Sequence, residues 1–349
     1  MATVGVLTSG GDCPGLNAVI RALVRRCERR WGDDIVGFLD GWAGVVEGRH
    51  VSLDVEAMRG TLTRGGTVLG TSRRHPWMSD DGPGRARATI HGLGLDALVV
   101  VGGEGSLAVA HRAHREGLVS VVGVPKTIDN DVPCTEQTFG FDTAVGVATE
   151  AIDRLHTTAE SHDRVMVVEV MGRHVGHIAT WAGIAGGATV TLVPEHPFDI
   201  AAVAEVVRRR HDRGRFASIV VVAEGARPVP GTMEVAEPVI DRFGHEVLGG
   251  IGSVVADELA QRTGFETRVT VLGHVQRGGT PSAYDRVLSS RYGVAAADAV
   301  HEGGLGSMVA LQEGAITTVP LAEVVGHLKT VDPRLWDTAN TLFEARLDD

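Results

Sequence analysis

The chain has 349 residues and a formal net charge of −11, with 43% hydrophobic and 22% charged residues. This length exceeds what one hydrophobic core usually serves, so we expect two α/β lobes of unequal size. The acidic balance excludes an overall positive field of the kind that draws proteins to nucleic acid or to anionic membranes. An anionic substrate would therefore have to be held by locally placed arginines.

No stretch of the sequence predicts secretion or insertion into a membrane. The N-terminus from Met1 to Leu7 lacks a basic region followed by an apolar one, and no uncharged run approaches the length of a transmembrane helix. The three cysteines, Cys13, Cys27 and Cys134, are odd in number and form no CxxC pair. We therefore expect a cytoplasmic protein with inert, reduced thiols.

Short apolar runs recur along the chain, and each is followed by turn residues and then by helical periodicity. The predicted strands are Thr3–Leu7, Ile35–Leu39, Ala97–Val101, Val119–Val124, Val165–Val170, Thr189–Val193, Ser218–Ala223 and Arg268–Leu272. The predicted helices are Leu16–Arg30, Leu107–Glu116, Thr143–Ala159, Ala201–Arg213, Leu248–Arg262 and Ser282–His301. Because the strands are continuously apolar, they are typical of parallel sheets covered on both faces. The pattern predicts a doubly wound α/β fold, with a surface excursion at Gly225–Gly244.

Two glycine-rich turns follow predicted strands, at the edge of a parallel sheet where ligands bind. One turn is Gly102–Ser106 and the other is Ser9–Gly15. Glycines let the backbone approach phosphate closely, and a following helix N-terminus supplies free amide donors. Glu104 adds a carboxylate suited to Mg²⁺. Neither turn is a Walker A loop, and one such turn alone is equally consistent with an ordinary connection between strand and helix.

The stretch Pro125–Asp131, with the sequence PKTIDND, directly follows another predicted strand. Its two carboxylates, Asp129 and Asp131, are two residues apart and can converge on one face of an extended loop. Metal-dependent phosphoryl transfer uses one acid near the metal and one that accepts a hydroxyl proton. A polar Asx-type turn is the alternative, but the full string at the end of a strand favours catalysis.

In the order and content of its motifs, the sequence resembles the phosphofructokinase family. The strings cover roughly the first four fifths of the chain, and TIDND, MGR and LGHVQRGG are specific to this family. The matching strings are TSGGDCPGLNA at Thr8–Ala18, GGT and LGTSR within Gly65–Arg73, GGEGS at Gly102–Ser106, PKTIDND at Pro125–Asp131, FGFDTA at Phe139–Ala144, VVEVMGRHVGHIA at Val167–Ala179, AEG at Ala223–Gly225 and ETRVTVLGHVQRGG at Glu266–Gly279.

The resemblance implies two doubly wound three-layer α/β/α lobes with mostly parallel sheets and an active site in the cleft between them. The larger, donor-binding lobe would comprise residues 1–140 and 276–326. The smaller lobe, which binds fructose 6-phosphate, would comprise residues 141–275 and 327–349. A homodimer or homotetramer is implied as well, because the family's counterparts of Arg164 and Arg268 reach into a neighbouring subunit's site.

The activity that the resemblance implies is phosphorylation of fructose 6-phosphate at its 1-hydroxyl by Mg²⁺-bound ATP, the committed step of glycolysis. Asp129 would be the general base, Thr127 would contact the transferring group, and Asp131 would support the metal and orient the base. Glu104 would be the acid on the metal side, where much of the family has the shorter Asp. Arg73 would bridge the transferring phosphoryl group and offset its charge in the transition state.

The remaining site residues are also implied by the resemblance, and they fall into two sets. On the donor side they are Gly11, Arg74, Gly103, Gly105, Ser106 and Lys126. Around fructose 6-phosphate they are Arg164, Met171, Gly172, Arg173, Glu224, Arg268, His274 and Arg277. Arginine suits the second set because its planar, permanently charged fork binds phosphate through two parallel hydrogen bonds.

Two positions bear on the phosphoryl donor, since the family contains both ATP-dependent and pyrophosphate-dependent members. Gly105 lies where pyrophosphate users tend to carry Asp, whose carboxylate would repel the α-phosphate of a nucleotide. Lys126, in contrast, resembles the pyrophosphate users, where an ammonium holds a small inorganic donor. An ammonium can coexist with ATP, whereas a carboxylate at 105 could hardly do so. We therefore expect ATP, with pyrophosphate as the alternative.

Two rival functions follow from the same residues. A catalytically silent sensor of sugar phosphate would be expected to lack the base and the metal acid, but Asp129 and Glu104 are present. A kinase of the GGDGT type that acts on NAD or a lipid head group would have no use for the MGR string. Effector control is not expected in its conventional form, since Arg21 and Arg25 match effector positions but His156 replaces an arginine.

Overall fold

The computed structural model describes residues 1–234, 239–240, 246–247 and 249–343. The chain divides into two compact units. Unit 1 comprises Met1–Thr143 and Arg277–Lys329, and unit 2 comprises Ala144–Gln276 and Thr330–Asp349. Within the described ranges, no helix combines the length and the apolar character needed to cross a membrane.

Strands and helices alternate along most of the chain. The first segment of unit 1 contains β1 (Thr3–Ser9), α1 (Leu16–Arg26), β2 (Asp34–Phe38), α2 (Trp42–Glu47), β3 (His50–Leu53), α3 (Gly82–Gly92), β4 (Ala97–Gly102), α4 (Glu104–Arg115) and β5 (Val121–Pro125). The next segment, mostly in unit 2, contains α5 (Phe141–His162), β6 (Val165–Val170), α6 (His177–Ala185), β7 (Val190–Leu192), α7 (Ile200–Asp212), β8 (Ser218–Ala223), β9 (Val239–Ile240), β10 (Glu246–Val247), α8 (Ile251–Thr263) and β11 (Thr267–Val271). The remainder contains α9 (Ala283–His301), β12 (Ser307–Gln312), β13 (Ala315–Pro320) and α10 (Leu321–Val324) in unit 1, then α11 (Pro333–Leu342) in unit 2.

Unit 1 is built on a seven-stranded sheet with the order β13-β12-β5-β4-β1-β2-β3. The strands are parallel except at the two ends, where β2 pairs with β3 and β12 with β13 in antiparallel fashion. The central strands are continuously buried, and Leu98 and Val100 of β4 lie in a core shared with Leu107 of α4 and Trp42 of α2. This burial explains why β1, β4 and β5 read as uninterrupted apolar runs.

Unit 2 contains a parallel sheet of four strands in the order β11-β6-β8-β7. Val167 of β6 and Val220 of β8 are fully buried and share a core with Val203 of α7 and Val255 of α8. The mixed α/β fold with mostly parallel sheets, predicted from the sequence, is thus confirmed.

Strand β11 corrects one sequence interpretation. We expected Arg268–Leu272 to be a central strand covered on both faces, and that expectation was wrong. Strand β11 lies at the edge of its sheet and pairs only with β6 among the strands of that sheet. Two of its valines are exposed, Val269 at 38% and Val271 at 52%.

Some helix ends differ from the prediction. The backbone conformation sets these ends, and hydrophobic periodicity does not report that conformation. The helix predicted over Leu16–Arg30 is α-helical only to Arg26 and continues as a π-helical turn over Cys27–Trp31. Helix α8 begins after Gly250, whose φ of 92° is left-handed, and the predicted start at Leu248 lies outside the described residues. The surface excursion predicted at Gly225–Gly244 is likewise described only in part.

Candidate active site

Three neighbouring strands of unit 1 end at the same level of the sheet. Ser9 of β1 lies opposite Gly102 of β4, and Gly102 lies opposite Pro125 of β5. The turns that follow these strands therefore meet. A Cβ atom built on Gly10 would lie 3.3 Å from Ser106 Oγ and 3.5 Å from Lys126 Nζ. The structure thus brings together the SGGD, GGEGS and PKTIDND strings within unit 1.

The LGTSR string joins this cluster through its backbone. The Gly10 amide donates to the carbonyl oxygen of Ser72 at 3.2 Å, and Thr71 Oγ1 donates to the Gly10 carbonyl at 2.7 Å. Ser72 is thereby bonded to Gly10 of the first glycine-rich turn, and Arg73 is the next residue in the chain. Arg73 and Arg74 are both exposed, and Arg74 forms an ion pair with Glu47.

Two cations lie against Gly11. Lys126 is buried and its Nζ donates to the Gly11 carbonyl at 2.5 Å, while Arg277 Nη1 donates to the Asp12 carbonyl at 3.4 Å. A Cβ atom at Gly11 would lie only 2.5 Å from Arg277 Nη1, so a larger residue there would displace the guanidinium. Burial lowers the pKa of Lys126 below its usual value. The position is suited to an anion, since it combines two cationic side chains with backbone amides.

The GGEGS turn leads into α4, whose N-cap residue Gly103 forms no side-chain cap. The first amides of the helix are therefore available to an anion. Gly105 is exposed, and a Cβ atom built on it would meet no described atom within 4 Å. Open space above a helix N-terminus is a favourable place for the phosphates of a donor.

Internal hydrogen bonds fix the conformation of the PKTIDND loop. The Asp129 amide donates to Thr127 Oγ1 at 3.0 Å, and Thr138 Oγ1 donates to the Thr127 carbonyl at 2.7 Å. Asn130 lies between the two acids with a left-handed φ of 54°, and its Oδ1 accepts from the Thr138 amide at 3.0 Å. Asn tolerates this conformation better than most residues do. The turn therefore presents Asp129 and Asp131 from a fixed backbone.

Sequence reasoning missed one residue at this loop. Lys329 Nζ donates to Asn130 Oδ1 at 2.8 Å and to the carbonyl oxygens of Thr135 at 2.9 Å and Glu136 at 3.0 Å. Burial lowers the pKa of Lys329 to about 8, although the negative charges of Asp131 and Glu136 oppose the shift. The amino-acid composition could have identified Lys329, because Lys126 and Lys329 are the only lysines in the chain.

Glu104 and Asp131 are the two acids that the sequence predicts to support a divalent metal. Within the described residues, Asp131 Oδ1 is buried without a hydrogen-bond partner. The segment Gly326–Lys329 contacts both acids: the Gly326 amide donates to Glu104 Oε1 at 3.3 Å and the Lys329 amide to the Asp131 carbonyl at 2.9 Å. Among all the residues that the structure describes, no group of three or more His, Cys, Asp or Glu side chains could hold a metal ion. This donor set fits Mg²⁺, which uses one or two carboxylates and takes its other ligands from water and phosphate.

In unit 2, the MGR and AEG strings follow two adjacent parallel strands, β6 and β8. The Glu224 amide donates to the Val170 carbonyl at 2.8 Å, and the Gly225 amide donates to the Gly172 carbonyl at 3.1 Å. The Met171 amide donates to the side chain of Gln276 at 3.3 Å. Met171, Gly172, Arg173 and Glu224 are thereby grouped at the carboxyl edge of this sheet.

The arginines Arg164 and Arg268 share one carboxylate partner. Arg164 Nη2 lies 2.8 Å from Glu266 Oε1, and Arg268 Nη2 contacts the same oxygen. The hydrogen bond from Arg164 lowers the pKa of Glu266. Arg268 lies on the exposed edge strand, and His274 is exposed in the helical turn Gly273–Arg277. Glu266 holds both guanidiniums close together.

The predicted site residues are divided between the two units. Thr127 and Asp129, which the resemblance also predicts to contact the sugar, belong to unit 1, together with Arg277 of the sugar-phosphate set and the whole donor set. The other members of the sugar-phosphate set belong to unit 2, and they are Arg164, Met171, Gly172, Arg173, Glu224, Arg268 and His274. In unit 2 the predicted residues lie at both edges of the sheet. Met171, Gly172, Arg173 and Glu224 follow the carboxyl ends of β6 and β8, whereas Arg164 and Arg268 lie at the amino ends of β6 and β11.

All three cysteines are free thiols, and Cys13 and Cys27 are buried. Burial raises the pKa values of Cys13 and Cys27 to about 12, so both thiols stay protonated at neutral pH. Burial also raises the pKa of Cys134. These surroundings agree with the inert thiols expected from the sequence.

Comparisons with known proteins agree on the family but name two phosphoryl donors. A profile described as Phosphofructokinase matches residues 3–300. The pyrophosphate–fructose 6-phosphate 1-phosphotransferase of Streptomyces coelicolor is 56% identical over 340 residues, which cover 97% of this chain and 99% of that protein. The ATP-dependent 6-phosphofructokinase of Corynebacterium efficiens is 54% identical over 341 residues, which cover 97% of this chain and 98% of that protein.

Comparison with solved structures also points to the phosphofructokinase family. The solved structure of phosphofructokinase from Saccharomyces cerevisiae superposes with a TM-score of 0.82 at 35% identity over 93% of this chain. This chain spans 45% of the yeast chain. The matching profile and the extensive identity to its relatives show that the chain belongs to the phosphofructokinase family.

Proposed function

We propose that the chain transfers the terminal phosphoryl group of Mg²⁺-bound ATP to the 1-hydroxyl of fructose 6-phosphate, giving fructose 1,6-bisphosphate. One observation carries the proposal: the turns after β1, β4 and β5 meet at Gly10, at the edge of the sheet where parallel folds bind their ligands. Of these turns, the one after β5 contains Asp129 and Asp131. Donor phosphates and a proton acceptor would thereby be held by adjacent turns.

Each residue of unit 1 has a role that its chemistry supports. Asp129 would take the proton of the sugar hydroxyl as the oxygen attacks phosphorus, and Thr127 would contact the transferring group. Arg73, Lys126 and the amides at the start of α4 would offset charge on the phosphates. Mg²⁺, held by Glu104 with support from Asp131, would neutralise phosphate charge when bound.

Residues of unit 2 would bind the sugar phosphate. Arg173, Arg164 and Arg268 supply guanidiniums whose geometry fits a phosphate monoester, and Arg277 of unit 1 would add another. Met171, Gly172, Glu224 and His274 would contact the sugar. We also propose a homodimer or homotetramer in which Arg164 and Arg268 serve a neighbouring subunit's site. The exposed edge strand that carries Arg268 next to Val269 and Val271 supports such an assembly.

The choice of ATP depends on the space around Gly105. A Cβ atom there would meet no described atom within 4 Å, and Gly105 has no carboxylate to repel the α-phosphate. Pyrophosphate is a second candidate, because buried Lys126 offers an ammonium beside the first glycine-rich turn and a pyrophosphate-dependent relative is 56% identical. The identities of 56% and 54% do not separate the two donors.

A direct comparison of donors tests this proposal. Purified protein would be assayed with fructose 6-phosphate and either Mg·ATP or Mg·pyrophosphate, and fructose 1,6-bisphosphate would be measured. We expect efficient product formation from ATP. Efficient formation from pyrophosphate alone would overturn the choice of donor, and no product from either donor would favour the catalytically silent sensor. The cytoplasmic location stays a prediction.

A further inference from the structure

Lysine occupies only two of the 33 lysine and arginine positions in the chain. One lysine lies within the PKTIDND loop of Asp129, and the other contacts that loop. Lys126 belongs to PKTIDND itself, and Lys329 is the last residue of unit 1, where its side chain packs against that loop. The other 31 of these 33 positions are arginines. The two lysines therefore mark places where a compact ammonium is favoured over a planar guanidinium.

The surroundings of Lys329 fit an ammonium group. Its Nζ lies 2.8 Å from Asn130 Oδ1, 2.9 Å from the Thr135 carbonyl and 3.0 Å from the Glu136 carbonyl. Three acceptors that converge on one atom match the three donors of an ammonium. A guanidinium spreads its donors along a planar fork and cannot direct them from one point.

Lys329 also holds the loop through its main chain. Its amide donates to the Asp131 carbonyl at 2.9 Å, while its side chain binds Asn130. Lys329 is thus attached to the two residues that directly follow Asp129. The backbone of Asn130 is in the left-handed region, which few residues adopt without support. Hydrogen bonds to the Asn130 side chain therefore help to set the orientation of Asp129 and Asp131.

We propose that Lys329 is a positioning residue that fixes the turn Asp129–Asp131 through the Asn130 side chain. It thereby holds the Asp129 carboxylate in the orientation that proton transfer requires. Lys329 contributes to turnover by acting on this turn, and its role is separate from the binding of donor or sugar. This inference rests on the general-base role proposed above for Asp129.

The proposal predicts a split between turnover and binding. Lys329→Met keeps the aliphatic stem and the main-chain bond to Asp131 but removes the three ammonium donors, so the Asn130 side chain loses its bond to Lys329 while the binding residues are untouched. A small misplacement of a catalytic group costs as much as about 10²-fold, and we expect kcat to fall about 10- to 100-fold. The KM values for both substrates should change less than about threefold. Lys329→Arg keeps the charge and part of the donor set, so it should recover part of the lost kcat.

A double-mutant cycle tests whether Lys329 acts through Asn130. Asn130→Gly removes the acceptor side chain and is compatible with the positive φ at this position. Both single variants, the double variant and Lys329→Arg would be assayed as full-length proteins, with thermal unfolding confirming that each is folded at the assay temperature. Leu328→Ala, a neighbouring exposed site, is the matched control and should retain wild-type kcat.

Support requires three results together: a loss of kcat at nearly constant KM, partial recovery in Lys329→Arg, and a double variant no worse than the more impaired single variant. Wild-type kcat in folded Lys329→Met, or fully additive losses in the cycle, would overturn the proposal. If Lys329→Met does not fold, wild-type kcat in both Lys329→Arg and Asn130→Gly would overturn it instead. A wild-type enzyme that makes no fructose 1,6-bisphosphate would refute the proposed function; an active wild type with an unaffected Lys329→Met would refute only the positioning role.

Discussion

The two units use cationic side chains in different ways. In unit 1 both lysines of the chain donate to main-chain carbonyls, Lys126 to that of Gly11 and Lys329 to those of Thr135 and Glu136. In unit 2, which contains no lysine, Arg164 and Arg268 are paired with a carboxylate near the surface. An ammonium can donate hydrogen bonds to several carbonyl oxygens that converge on one point. A planar guanidinium binds a carboxylate or a phosphate through the same pair of donors, so one anion can replace the other.

This difference indicates a division of labour. The turns of unit 1 are fixed by internal hydrogen bonds before any ligand arrives, as catalysis by preorganised groups requires. Arg164 and Arg268 of unit 2 are held by Glu266, an anion that a substrate phosphate can replace. Changes in the turns of unit 1 should therefore alter kcat or donor use, and changes in Arg164 or Arg268 of unit 2 should alter KM for the sugar phosphate.

The largest expected effect is that of Asp129→Asn. The amide cannot accept the hydroxyl proton, so we expect kcat to fall about 10²- to 10⁴-fold with little change in KM for fructose 6-phosphate. Steady-state kinetics measures both constants. Asp80→Asn, at an exposed carboxylate of unit 1, should behave as wild type. A KM effect larger than the kcat effect would contradict the assignment of chemistry to this turn.

Gly105→Asp should have the next largest effect, and it acts on the donor alone. Close approach of like charges costs several kcal/mol, so we expect kcat/KM for ATP to fall by about 10²-fold or more. Gly105→Ala is the matched control, since a Cβ atom at this position meets no described atom within 4 Å. Comparable losses in both variants would show that space, and not charge, limits this position.

A smaller effect is expected in unit 2, from Arg268→Gln. Hydrogen bonds to charged groups contribute about 1.5–3 kcal/mol, so KM for fructose 6-phosphate should rise about 10- to 100-fold. Arg262→Gln removes another Arg–Glu pair of unit 2, on α8, and should leave KM unchanged. Titration of the initial rate with fructose 6-phosphate checks both variants, and an unchanged KM in Arg268→Gln would remove this arginine from the site.

The smallest effect concerns the stability of unit 1. Asp285 is fully buried, and burial raises its pKa from 3.8 to about 6. The folded state therefore retains a proton that the unfolded state releases between about pH 4 and 6, and the contribution of Asp285 to stability falls as pH rises through this window. The unfolding free energy of wild type minus that of Asp285→Asn should decrease by roughly 2–3 kcal/mol from pH 4 to 7.

Denaturant unfolding at several pH values measures this difference. Asp34→Asn, at an exposed carboxylate of the same unit, is the control and should show a much smaller dependence on pH. A difference between wild type and Asp285→Asn that stays constant from pH 4 to 7 would show that Asp285 does not titrate in this window.

The sequence predicts the parallel strands well because burial on both faces leaves a continuous apolar run, as in β4 and β8. The sequence does not predict whether a strand is central or lies at the edge of its sheet, because that depends on which strands pair with it. Strand β11, with the sequence TRVTV, is rich in β-branched residues as buried strands are, yet it lies at a sheet edge with exposed valines. Helix α3, which begins Gly-Pro-Gly, lacks a clear apolar stripe and was not predicted.

The candidate site shows the same limit. Motif strings identify Asp129, Glu104 and Gly11, because each lies within a few residues of a recognisable turn. Lys329 is about two hundred residues from the loop that it binds, as the sequence separation of 199 from Asn130 shows, and no local pattern marks it. Contacts of this kind are set by the tertiary fold, and only the rarity of lysine in this chain could have pointed to it.

We propose that the turns of unit 1 deliver a phosphoryl group to the 1-hydroxyl of fructose 6-phosphate. The most direct test follows the wild-type reaction with Mg·ATP by phosphorus NMR. The account predicts a new phosphomonoester signal from C1 of the sugar that grows one for one with ADP. ATP consumption that leaves C1 unmodified, or no reaction with ATP or pyrophosphate, would contradict it.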